Sequence, residues 1–369
     1  MSGPAPDTAP SPATAELPLC RAYPALAARL PRSAIGHWPT PVQRARTFAP
    51  RTGLAELWLK REDLSHPLAG GNKVRGLELL LGDSLRRGQR TLLTFGAAGS
   101  HHVARTAIHA RPLGLSLVAL LLHQPAHDYV AHNLAAALGA EARVVVAHPL
   151  TLLPRAALAW LNPRHWRHGR PPRVIAPGGT TPLACIGHVN AAFELQQQIA
   201  AGELPEPDYL HVPLGSLGTA AGLLLGCRLA GLRTRVVGLV VSYRWYCTAG
   251  RCARIARRCL RRLRALAPAV PDLPIAATDL DVVADAIGNG YACPTPESQA
   301  TAQAFAADEG IALDPTYSAK ALAGALAFIR RRDAGRAVHL FWHTYHGPPA
   351  APRGPQPARV GAALQRYFE

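Results

Sequence analysis

The chain has 369 residues, 49% of them hydrophobic, a mean hydropathy of +0.04 and a formal charge of +17. That length holds two cored domains or one large α/β unit of ordinary globular composition. Seven cysteines without regular spacing exclude a disulfide framework, and no apolar run approaches the ~18 residues of a membrane span.

The positive charge is almost wholly arginine: of 40 Lys and Arg residues only Lys60, Lys73 and Lys320 are lysines. No nucleic-acid motif accompanies it, and the N-terminus lacks the charged-then-apolar order of a signal peptide. The expectation is a cytoplasmic protein with neither a nucleic-acid nor a membrane partner.

Residues 1–32 open Pro/Ala/Ser-rich, with weak helical patterning near Leu17–Leu30, and read as a mobile leader. A strand follows Ile35–Pro41, and a second passes through Leu57–Leu59. The turn Gly70-Gly71-Asn72 then opens a helix with Asn72 as N-cap and Lys73 at its start. From Thr91 strands and helices alternate: strand Thr91–Phe95, helix from His101 to Arg111, strand Val118–Leu122, helix His127–Leu138, strand Arg143–Ala147, helix Leu152–Leu161 and strand Arg173–Ala176. Such alternation predicts an α/β fold with a parallel sheet.

The alternation continues through helix Leu183–Ala201, strand Tyr209–Pro213, the loop Gly215–Gly222 with its helix, and strand Val236–Ser242. Residues 250–266 form an amphipathic helix with arginines on one face. A solvated outer helix explains it, and so would an anionic-surface binder. Helices Pro296–Glu309 and Ala319–Arg332 and strand Ala337–Trp342 complete the pattern. The expected division is a small α/β domain over 77–173, a larger one over 33–76 and 174–348, and a tail over 349–369.

Three stretches carry chemistry. An ammonium at a helix N-terminus is disfavoured by the helix field, so Lys73 leans toward the neutral amine that condenses with aldehydes. Gly215-Ser216-Leu217-Gly218-Thr219 lies between a strand and a helix, where backbone N–H groups make a phosphate site. Ser100 caps the helix that begins at His101. The histidines lack metal-ligand spacing and no G-x-S-x-G elbow occurs, so neither a metal centre nor a serine hydrolase is expected.

The run K-R-E-D-L-x-x-P-L-x-G-G-N-K-x-R-x-L-E, from Lys60 to Glu78, resembles the Schiff-base segment of the pyridoxal-phosphate enzymes that include 1-aminocyclopropane-1-carboxylate deaminase and D-cysteine desulfhydrase. The similarity extends from about Trp38 to Gly347. It implies a two-domain fold-type-II enzyme (tryptophan synthase beta-like), a homodimer, with pyridoxal 5'-phosphate between the domains and a small amino acid as substrate. By the resemblance Lys73 would be the Schiff-base lysine, beside Asn72, and Gly215, Ser216, Leu217, Gly218 and Thr219 the cofactor-phosphate cradle.

Ser100 would hold the substrate carboxylate, and His101, where the family has asparagine, would contact the cofactor's phenolic oxygen. Tyr291 and Tyr317 would assist proton transfer, Ser318 would face the pyridine nitrogen, and Thr344 would line the cofactor. Tyr345-His346 departs from the family's glycine pair. A hydroxyl at Ser318, in place of glutamate, leaves the ring a weaker electron sink and favours β-elimination over ring opening. D-cysteine or a related amino acid is the expected substrate. Cyclopropane deamination and β-replacement are alternatives, and the departures at His101 and Tyr345-His346 keep open a binding protein without catalysis.

Overall fold

A computed structural model of the protein describes residues 16–347 and 362–368. Its strands are, in chain order, β1 (Val42–Arg44), β2 (Glu56–Arg61), β3 (Thr91–Ala97), β4 (Ser116–Leu122), β5 (Arg143–Ala147), β6 (Arg173–Ile175), β7 (Tyr209–Leu214), β8 (Arg235–Val240), β9 (Leu280–Val283) and β10 (Val338–His343). Six form one sheet in the order β1-β2-β10-β7-β8-β9, and the other four form a second in the order β5-β4-β3-β6. Only β1 runs antiparallel to its neighbour.

Period-2 alternation explains how the larger sheet is covered on both faces. Leu210, Val212, Leu214, Leu340 and Trp342 pack with the helices Pro182–Ala200, Gly218–Leu229 and Ala249–Leu266. Val237, Leu239, Val241 and Phe341 face the other way, against Phe305, Leu322 and Phe328. The Arg-rich helix lies outermost, burying Cys252, Ala256, Cys259, Leu260 and Leu263. Its apolar stripe is thus consumed in the core, which fits a solvated outer helix.

Three expectations change. The leader's second half is ordered: helices Pro18–Ala22 and Ala25–Arg29 bury Leu19 and Leu26 completely. The Leu19 N–H also donates to Asn190 Oδ1 at 3.0 Å. Burying each leucine contributes roughly 1.5–3 kcal/mol toward the cost of ordering the segment. Likewise, in the tail, Leu364 and Tyr367 are buried against the smaller sheet's core. Residues 1–15 and 348–361, expected as leader and linker, lie outside the described residues. Finally, β9 is absent from the sequence reading, because only Leu280 and Val283 of its four residues are buried.

Strand order places the site. The last strand, β10, inserts between β2 and β7, pairing His343 with Arg61. The segment after His343 therefore runs beside the turn that leads to Lys73. The C-terminal ends of β3, β7 and β10 open onto one cleft, where open α/β sheets bind their ligands.

Candidate active site

A cavity of about 510 Å³ occupies that cleft, in the range of small-molecule sites. Lys73, Ser100, His101, Gly215, Ser216, Leu217, Thr219, Tyr291, Tyr317 and Thr344, widely separated in sequence, all line it.

Lys73 is the first residue of the helix Lys73–Arg86 and points into the cavity, with Nζ 3.4 Å from Ser216 Oγ. Burial below the protein surface lowers its pKa to about 8, although part of the side chain touches cavity space. At neutral pH a fraction near one tenth is the free amine, roughly 200–300-fold more than for an ordinary lysine. Gly71 adopts φ +104, and a side chain there would meet the Thr344 carbonyl at 2.8 Å, so glycine is required for this approach.

Asn72 departs from its expected role, because its side chain makes no cap. Its amide Nδ2 instead donates to Thr219 Oγ1 at 2.7 Å, joining the lysine turn to the Gly215–Thr219 loop. In that loop Leu217 takes the left-handed conformation, φ 69, immediately before the helix Gly218–Leu229. A left-handed residue directly before a helix, beside that helix's unpaired first donors, is the backbone pattern of an anion nest. No acidic residue occupies the helix's first turn. A Cβ at Gly218 would meet Thr180 Oγ1 at 2.8 Å and one at Gly178 would meet Ser216 at 2.5 Å, so the close packing of these side chains leaves room only for glycine at both positions.

Ser100 is the N-cap of the helix His101–Ala110 and accepts the Val103 N–H. His101 is the more informative residue. Its Nδ1 lies 3.2 Å from Asn133 Nδ2 and 3.4 Å from Arg105 Nη1. Asn133 Oδ1 accepts from Arg105 at 3.0 Å and its Nδ2 donates to the Gly99 carbonyl, which fixes the amide's orientation. Both neighbours of Nδ1 are therefore donors, so Nδ1 is an acceptor and the imidazole proton sits on Nε2. Burial, then the charges of Arg105 and Lys73, hold His101 well below the usual histidine range. Its Nε2 is buried with no partner among the described residues, so the ring offers one N–H to a ligand in the cavity. Tyr129 stacks beneath it, with ring centroids 5.7 Å apart.

Tyr291 and Tyr317 share a hydrogen bond of 2.8 Å between their hydroxyls. Burial raises both pKa values, so the pair is neutral and passes a proton only in concert with a partner. Ser318 does not reach the cavity. It is fully buried, accepting the Asp314 N–H at 2.7 Å and donating to Asp314 Oδ1 at 2.5 Å. The expected hydroxyl toward a pyridine nitrogen is thus engaged in the local Asp-Pro-Thr-Tyr-Ser turn, and Asp314 lines the cavity instead. Arg105, Asn133 and Asp314 are the functional candidates that the sequence reading missed. The i, i+4 spacing of His101 and Arg105 on one helix face is the signal that could have revealed the first.

A nest for a phosphate, an amine with a lowered pKa and an orphaned imidazole N–H for an oxygen fit an aldehyde-bearing phosphorylated cofactor. No group of three or more His, Cys, Asp or Glu suited to a metal occurs among the described residues.

Comparison with known proteins agrees. The family model described as pyridoxal-phosphate dependent enzyme matches residues 34–344. The chain is 36% identical over 323 residues to nocardicin C-9' epimerase of Nocardia uniformis subsp. tsuyamanensis, covering 85% of this chain and 92% of that one. It is 34% identical over 327 residues to D-cysteine desulfhydrase of Klebsiella pneumoniae (strain 342), covering 87% and 95%. The crystal structure of an ACC deaminase homologue superposes with a TM-score of 0.73 at 28% identity, covering 89% of this chain and 95% of that one. The chain belongs to the pyridoxal-phosphate dependent enzyme family, and its cofactor is pyridoxal phosphate.

Proposed function

We propose that this enzyme catalyses β-elimination from a β-substituted α-amino acid, in the manner of a D-cysteine desulfhydrase. The observation that carries the reading is the meeting, in one cavity, of the Lys73 amine, the phosphate nest and the Tyr291–Tyr317 pair. Bound pyridoxal phosphate supplies an aldehyde for the substrate amine and an electron sink for the charge left at Cα. The Gly215–Thr219 nest would hold the phosphate, Lys73 would anchor the aldehyde carbon, and His101 Nε2–H would donate to the phenolic oxygen. Ser100, at its helix N-terminus, is placed to receive a carboxylate.

Lys73 removes the Cα proton once its amine is free, and the tyrosine pair protonates the departing β group. The Cα–H and Cβ–X bonds break, a Cα–Cβ double bond forms, and the group leaves as HX. Water then hydrolyses the 2-aminoacrylate to a 2-oxo acid and ammonia. Seven free cysteines support a reducing, cytoplasmic setting. Exposed Leu150, Leu153, Leu158 and Leu161, around the helix Leu152–Leu161, support a homodimer that covers them.

A second reading, epimerisation at Cα, is favoured by two separate proton-handling groups in the cavity and by the epimerase relative. Removal of the proton by one group and its return by the other would invert the centre. Incubation of the holoenzyme with D- and L-cysteine and β-chloroalanine in deuterium oxide separates the two. The 2-oxo acid and ammonia in equal amounts, absent in Lys73→Ala, are expected. Deuterium at Cα of the opposite enantiomer without 2-oxo acid would replace elimination by epimerisation.

A further inference from the structure

Between β8 and the helix Ala249–Leu266 the chain reads Tyr243-Arg244-Trp245-Tyr246. All three aromatic rings line the cavity, yet Tyr243 is 54% and Trp245 72% exposed. They continue inward: Tyr243 stacks on Tyr291 at 6.2 Å, and Tyr291 bonds Tyr317. Outward, Trp245 lies 6.1 Å from Tyr243 and 5.8 Å from Tyr246. A line of rings thus runs from the proton-transfer pair to the cavity mouth.

The turn is held in shape. Cys247 and Tyr246 N–H groups both donate to the Tyr243 carbonyl, and Arg244 donates to the Ala284 carbonyl at 2.9 Å. Arg251 braces the rings from behind, its guanidinium 4.7 Å from the Tyr246 centroid and 5.5 Å from that of Trp245. Its Nη1 is buried and has no hydrogen-bond partner among the described residues. Leaving two large aromatic side chains in water forfeits their burial energy, and fixing them there leaves little ordering cost when a ligand arrives. The side chain of cysteine ends one atom beyond Cβ and leaves the outer rings uncovered.

We propose that Tyr243, Trp245 and Tyr246 form the side-chain subsite of this enzyme, and that its substrate is an α-amino acid bearing an aromatic ring beyond Cβ. The inference rests on the reading of the cavity as a pyridoxal-phosphate site for α-amino acids. Offset or edge-on contact with rings of this spacing is the preferred geometry of aromatic pairs.

The test uses the full chain loaded with pyridoxal phosphate. The change in its visible band is titrated with alanine and phenylalanine, each as both enantiomers. For the better enantiomer of each, phenylalanine is expected to bind about 10-fold or more tightly than alanine. That ratio should fall toward one in Tyr243→Ala/Trp245→Ala and recover in part in Trp245→Phe. A ratio near one in the wild type, or one unchanged in the double variant, overturns the subsite while leaving the proposed chemistry intact. A protein that forms no cofactor band at all overturns both, so the two failures are distinguishable.

Discussion

Asn133→Asp is the sharpest test of how the cavity controls its own hydrogen-bonding. In the native protein the Asn133 amide and Arg105 both donate to His101 Nδ1, at 3.2 and 3.4 Å, and so keep the proton on Nε2. A carboxylate at position 133 can only accept, and it pulls a proton onto Nδ1. With charge centres about 4 Å apart and an effective dielectric near 20, the attraction between that carboxylate and an imidazolium is about 4 kcal/mol. Arg105, bound to the same side chain at 3.0 Å, offsets part of this. A shift of His101 protonation by at least about ten-fold survives, against a native ring that burial, Arg105 and Lys73 keep neutral. The assay is nitrogen-15 NMR of ring-labelled histidine in cofactor-free protein, with the signal assigned by its loss in His101→Asn. The wild type should show Nε2–H and no titration between pH 5.5 and 8 (on the order of the histidine range), whereas Asn133→Asp should show Nδ1–H and titrate at higher pH. A wild-type ring protonated on Nδ1 would refute the reasoning outright. As a control, His101→Asn needs no tautomer, so adding Asn133→Asp to it should move cofactor affinity far less.

Lys73, with its pKa lowered to about 8, binds fewer protons folded than unfolded between pH 8 and about 10.5. The native state therefore bears the full cost below pH 8 and regains stability as pH rises through that window. Lys73→Met should stabilise cofactor-free protein by up to about 3 kcal/mol at pH 7, and by progressively less at pH 9 and 10, in urea melts. An equal gain at every pH would refute the assignment. Tyr317→Phe, which removes the 2.8 Å bond to Tyr291, should cut 2-oxo acid formation by roughly 10²–10⁴ with the cofactor band intact; unchanged turnover would remove the pair from the mechanism. Gly178→Ala places a Cβ 2.5 Å from that of Ser216, at φ +67, and should weaken pyridoxal phosphate binding in equilibrium dialysis. Native affinity in that variant would show that Ser216 moves freely.

What the sequence made legible was local. Lys73 after two glycines, Ser100 as a cap and Gly215–Thr219 after a strand each declare themselves within a few residues, and the structure gathers them in one cavity. The strands of both sheets were readable from apolar runs, apart from β9 and from β1, whose Val-Gln-Arg holds a single apolar residue. Partnerships across the fold were not readable. Asn72 looks like an N-cap until Thr219, far along the chain, claims its amide. Ser318 looks like a ligand to a cofactor until Asp314, one helical turn earlier, takes its hydroxyl. Arg105 and Asn133 meet at His101, and nothing in either local sequence reports that meeting. The Leu17–Leu30 helices, too short to be stable alone, are held by a core that composition cannot show.

The scarcity of lysine was the first clue, and the structure refines what it means. All three lysines are interior. Lys60 Nζ donates to the Thr40 carbonyl and Glu194, at 2.6 Å each, and to Gln198 at 2.5 Å. Lys320 Nζ donates to the Ile287 and Gly290 carbonyls at 2.9 and 2.7 Å, tying down the loop that carries Tyr291. Three divergent bonds from one compact atom suit an ammonium and not a planar guanidinium. Arginine replaces lysine wherever the surface tolerates either, so the lysines that remain mark geometry. Chemistry is the further distinction of one of them. Burial lowers the pKa of all three, but Lys60 Nζ has the Glu194 carboxylate and Lys320 Nζ two backbone carbonyls at full hydrogen-bond distance, whereas Lys73 has only a serine hydroxyl at 3.4 Å and no acid beside it. A buried amine without a counter-charge is poised to lose its proton, and that absence, which sequence could not reveal, favours the role proposed for Lys73.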